Sequence, residues 1–181
     1  MSKLLLPLVL LFTSLTCFGV TVTPEDFKEI RQAAEQGNAM DQLLLGHLYR
    51  FGKGVAKDDA EAVKWIRKAA EQGLAEAQDQ LGHMYSLGKC VEKDHTKSIK
   101  WYRKAAEQGH AEAQFSLGGK YMDGEGVPMD FVLSYSWYNL AAAKGFVSAR
   151  LNRDCISEEM TKEQIAEAQK LSREWLAKRQ K

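Results

Sequence analysis

The chain repeats itself every 36 residues, and that interval limits its fold more than any other feature. Ala33-Ala34-Glu35-Gln36-Gly37 returns as Ala69 to Gly73, as Ala105 to Gly109, and as Ala141-Ala142-Ala143-Lys144-Gly145. Trp65, Trp101 and Trp137 keep the interval, as do Tyr49, Tyr85 and Tyr121 and the pairs Leu45-Gly46, Leu81-Gly82 and Leu117-Gly118. A fixed period between roughly 20 and 50 residues belongs to solenoids, in which each unit buries its apolar face against the next.

Each unit reads as two helices. The first runs from about Ala39 to Phe51, with Leu45 and Tyr49 on one face. Gly52 and Gly54 stop it by supplying positive φ at low cost. Asp58 caps the second helix, and Glu61 is expected to close a capping box; Asp94 and Asp130 hold the same register. Ala62, Trp65, Ile66, Ala69 and Ala70 form the apolar stripe, and Gly73 stops the helix. Gly46 and Gly82 sit inside helices although glycine costs about 1 kcal/mol against alanine there, which predicts close helix–helix approach.

The ends read as caps. Thr23-Pro24 opens a lone helix, and Thr161 with Gln164 opens a charged amphipathic one. The expected organisation is a segment 1–19 followed by one all-α domain over 20–181: a capping helix at 20–37, repeats at 38–73, 74–109 and 110–145, and a partial repeat with a closing helix at 146–181.

Residues 1–19 carry one Lys, an apolar run from Leu4 to Phe12, and small residues before a cut after Gly19. That order is a secretory signal peptide, which places the mature chain, from Val20, in the periplasm or outside the cell. Lipidation at Cys17 is the rival, but Ser14 and Thr16 depart from the lipobox. The full chain holds 25 basic and 24 acidic residues, so removing the segment leaves 24 of each and no formal charge. Binding driven by charge, to nucleic acid or to an anionic membrane, is therefore not expected.

Glu76-Ala77-Gln78-x-x-Leu81-Gly82-x-x-Tyr85-x-x-Gly88, followed by Val91, Asp94, Trp101 and Lys104-Ala105-Ala106-Glu107-Gln108-Gly109, closely resembles the Sel-one-like repeat, a longer-looped relative of the tetratricopeptide repeat. Met160 to Gln169 is similar to the closing helix of its bacterial members. The resemblance implies a right-handed α/α solenoid of antiparallel helix pairs. It also implies a scaffold or adaptor role with a protein or peptide partner, and names no ligand.

Nothing in the motifs converges on a reaction. Ser86-Leu87-Gly88-Lys89 has the S-x-x-K spacing of penicillin-recognising enzymes, and a cysteine-rich branch of the resembled family has been linked to penicillin binding and weak β-lactamase activity. The same register reads Arg50-Phe51-Gly52-Lys53 one repeat earlier, and no K-T-G or S-D-N accompanies it, so a repeat loop is the better reading. Gly52-Lys53-Gly54 and Gly124-Glu125-Gly126 lack a phosphate-loop context. His47 and His83 share a register with Asp79 one turn away, but zinc needs three or four converging ligands, so no metal or cofactor is expected. His95 and His110 stand at helix starts with no constellation. The recurrent Trp and Tyr residues are expected in the core. Cys90 replaces the loop glycine found at Gly54 and Gly126, and Cys155 lies two repeats on. The two are too far apart to bridge within a monomer; Cys90 pairing with another molecule is the alternative.

Partner contact is expected where residues differ between repeats on the first helices, which line the concave side in tetratricopeptide-like solenoids. Those positions are Met40, Leu43, His47 and Arg50, then Glu76, Asp79, His83 and Ser86, then Glu112, Phe115, Gly119 and Met122. Leu43 and Phe115 can anchor a peptide there or pack against neighbouring repeats, and spacing leaves both open.

Overall fold

A computed structural model describes residues 22–179; the signal-like segment and its cut after Gly19 lie outside the described residues. Among the described residues there are nine α-helices and no strand: α1 Pro24–Glu35, α2 Ala39–Phe51, α3 Asp59–Glu71, α4 Ala75–Leu87, α5 His95–Glu107, α6 Ala111–Asp123, α7 Phe131–Ala142, α8 Val147–Ser157 and α9 Lys162–Arg179. The class is all-α, with helix pairs repeating in solenoid order. The chain divides into two compact units, up to Ala69 and from Ala70 onward.

In the first unit, Thr23 and Asp26 close a reciprocal capping box on α1, and Pro24 begins the helix. Ala34, Leu45 and Trp65 are buried together, with Phe27, Ile30 and Tyr49 packed against them. Asp58 accepts from the Ala60 and Glu61 amides and so caps α3. Glu61 does not complete the expected box: its carboxylate takes Lys64 Nζ and the Trp65 indole N–H instead, while the Asp58 amide donates to the Tyr49 carbonyl. The α2–α3 loop is thereby tied to the helix before it.

The second unit reuses those devices. The Asp94 and Asp130 amides donate to the Tyr85 and Tyr121 carbonyls, and their carboxylates cap α5 and α7. Here α4 packs on α5, α5 on α6, α6 on α7, and α7 on both α8 and α9. Thr161 and Gln164 form the predicted box at α9. A Cβ on Gly82 would meet Tyr102 Cδ1 at 2.8 Å, and one on Gly118 would meet Tyr138 Cδ1 at 2.7 Å, which is why these helices keep glycine at their contact.

The expectation that the recurrent tryptophans seal the core needs correction. Trp65 is buried, but Trp101 and Trp137 are only half-buried. Lys68 covers the Trp65 ring at 4.1 Å and Lys104 covers that of Trp101 at 4.5 Å. Deeper burial falls on Ile66, Tyr102 and Tyr138, the next position along the same helices.

Candidate functional site

The expected partner-binding positions divide by depth. In α2, Leu43 is only 3% exposed and His47 is buried, while Met40 and Arg50 are half-buried. Leu43 is therefore packing and offers no anchor. In the second unit Glu76, His83 and Glu112 are exposed, whereas Asp79 and Gly119 are partly covered and Ser86 is buried. Phe115 is half-buried, with its ring 5.5 Å from that of Tyr138 and 5.0 Å from that of Phe146. Met122 is half-buried as well, its sulfur 3.9 Å from the Tyr138 hydroxyl. The accessible members are thus mainly acidic or imidazole groups, and the apolar ones largely face inward.

Two successive layers of the second unit hold the same register with different chemistry. In the later layer Tyr138 receives Asn152 Nδ2 at 3.2 Å, and Ser134 donates to the Gly118 carbonyl at 2.8 Å. In the earlier layer Tyr102 takes the place of Tyr138, and its hydroxyl lies among those of Ser116, Ser98 and Ser86. Burial pushes the Tyr102 phenol up to about 12. The Phe115–Phe146 ring pair is replaced, 36 residues earlier, by Asp79 and His110. Asp79 Oδ1 is buried and has no hydrogen-bond partner. Burial pushes the carboxyl up to about 6; Glu112 and Glu76 push the same way and His110 opposes them. The His110 Nδ1 caps α6 by accepting from the Ala113 amide at 3.4 Å, and it lies 3.6 Å from Glu112.

Ser86 of the S-x-x-K spacing sits beside Tyr102 and is largely buried. Among the described residues no three His, Cys, Asp or Glu side chains gather to hold a metal. No described helix is long and apolar enough to cross a membrane. Cys90 and Cys155 are not joined to each other; Cys90 has a φ of 62°, close to the 71° and 79° of Gly54 and Gly126, while Cys155 is exposed.

One set of recurrent residues escaped the sequence reading. Gln42, Gln78 and Gln114 are buried, and each donates its amide to the carbonyl eight residues earlier, that of Ala34, Ala70 or Ala106. Gln78 Oε1 also accepts from Gln108 at 2.8 Å. The 36-residue spacing of the three glutamines was the available signal.

The Sel1 repeat family model matches residues 39–74, 75–110 and 111–146. Among solved structures, a Sel1 repeat protein from Oxalobacter formigenes is 41% identical with a TM-score of 0.68, the match covering 71% of this chain and 97% of that one. The protective antigen c5321 of uropathogenic Escherichia coli, which displays an SLR fold, is 32% identical with a TM-score of 0.64; the match covers 84% of this chain but only 40% of c5321. A comparison with curated proteins gave no match.

Proposed function

The chain belongs to the Sel1 repeat family, and from that premise we propose that it is a non-catalytic scaffold of the cell envelope or extracellular space that binds a protein or peptide through the first helices of its repeats. Sel1 repeat proteins generally mediate protein–protein interaction, and their solenoids are typically non-catalytic. The observation that carries the reading is the exposure of Glu76, His83 and Glu112 on the first helices, in registers that change from Met40 to Glu76 and from His83 to Gly119, beside frame residues that are buried. Residues fixed by packing cannot vary without cost, so variable exposed ones are those open to selection for a partner. Export is inferred from the signal-like first 19 residues, and the mature chain is proposed to be a monomer unless Cys90 pairs with another molecule.

Crosslinking in the native envelope, followed by mass spectrometry, identifies the partner. The reading requires that Glu76→Lys with Glu112→Lys abolish that crosslink without lowering the melting temperature. An intact crosslink in this variant would sink the assignment of the face. Intact mass tests export: a secreted species that retains residues 1–19, or carries a diacyl group, contradicts cleavage after Gly19. The weak hydrolase alternative draws no support from Ser86, which is buried.

A further inference from the structure

We propose that Asp79, on α4, makes the fold of the second unit pH-sensitive, firmer when its carboxyl carries a proton and weaker when it is ionised. The inference is independent of which partner, if any, the chain binds.

The register makes Asp79 anomalous. The equivalent residue is Leu43 one repeat earlier and Phe115 one repeat later, both turned into packing. At Asp79 a carboxyl occupies that apolar position, and its Oδ1 has lost water without gaining a donor. A buried acceptor with no hydrogen bond is tolerable on a neutral carboxyl and costly on a carboxylate.

Among the described residues, four charged or titratable groups are seen to bear on Asp79. Glu76 from α4 and Glu112 from α6 oppose ionisation, and the Tyr102 phenol on α5 is itself held neutral by burial. His110 is the only one of them that favours the anion. Its Nδ1 is already engaged, accepting from the Ala113 amide with Glu112 3.6 Å away. The arrangement therefore does not neutralise an Asp79 anion in place.

Asp79 leaves its ordinary value of 3.8 for about 6 in the folded chain. The native state thus binds more protons than the unfolded chain across that interval, and stability falls as pH rises through it. The stabilisation is complete below the unfolded value and gone above the folded one.

The test is urea unfolding of the full mature chain at about pH 4.5 and about pH 7, with a carbon-13 titration of the Asp79 carboxyl. The unfolding constant should rise about 25-fold between the two conditions, after correction for the other acids by reference to Asp79→Asn. That variant keeps shape and removes the charge, so its corrected profile is flat by construction and its stability near neutrality should exceed the wild type's. His110→Phe, which copies Phe146, should move the Asp79 titration midpoint upward. A midpoint below about 4.5, or an Asp79→Asn chain less stable than wild type near neutrality, overturns the proposal.

Discussion

The Tyr102 and Tyr138 layers of the second unit are built on one backbone plan and filled with opposite chemistry. Each places a tyrosine ring against a helical glycine and starts the second helix at a capped aspartate tied to the preceding helix. Around Tyr138 the remaining space is taken by Phe115, Phe146, Met122 and Asn152. Around Tyr102 it is taken by serines, with Asp79 and His110 standing where the two phenylalanines would be. The frame is therefore set by glycine, tyrosine and capping aspartate, while the residues between them are free to trade stability for polarity.

The largest effect should come from the apolar side of that contrast. Phe115→Ser removes a ring packed on Tyr138 and Phe146 and should cost about 3 kcal/mol, whereas Asp79→Ser should cost little or even stabilise at neutral pH. Thermal unfolding of the two variants checks this. Equal losses would break the contrast.

The shared frame gives the next effect. Gly82→Ala and Gly118→Ala each drive a methyl into a tyrosine ring, and each should lose about 2 kcal/mol. Loss at one position alone would mean that the two layers do not share a contact.

A smaller difference is expected at the buried glutamines. Gln78 makes both of its amide bonds, while Gln114 Oε1 is unsatisfied, so Gln78→Ala should cost more than Gln114→Ala by about 1 kcal/mol in urea unfolding. The smallest effect lies at the loops. Cys90→Gly relieves a left-handed residue and, after the added chain entropy of glycine, should gain about 0.5 kcal/mol. At Gly126 the reverse change should destabilise, because a Cβ there would lie 2.7 Å from that of His95.

The helices were legible because their signals are local. The bounds of α2, the capping residues Thr23 and Thr161, and the close approach at Gly82 all follow from spacing and from side chains that act within a few residues. Depth was less legible. Leu43 and Phe115 lie at helical spacing with exposed neighbours, and only the packed structure reveals that they point into it. Tyr102 and Tyr138 are not legible as a set because the same register holds Ile66 in the first unit. The burial of Gln42, Gln78 and Gln114 is not legible from local spacing, since their partner carbonyls belong to the preceding helix. The sequence pattern places Asp79 on the groove face, and its register does not reveal that its carboxyl is covered on one side.

The most direct test moves the later layer into the earlier one. Asp79→Phe with His110→Phe reproduces the Phe115–Phe146 pair on the α4–α6 seam. If the two layers share one frame and differ only in filling, thermal unfolding at neutral pH should show a higher melting temperature than wild type, by about 5 °C, with a flatter dependence on pH between about 4 and 6. A melting temperature below that of the wild type would show that the Tyr102 layer cannot accept the apolar pair and would contradict the account.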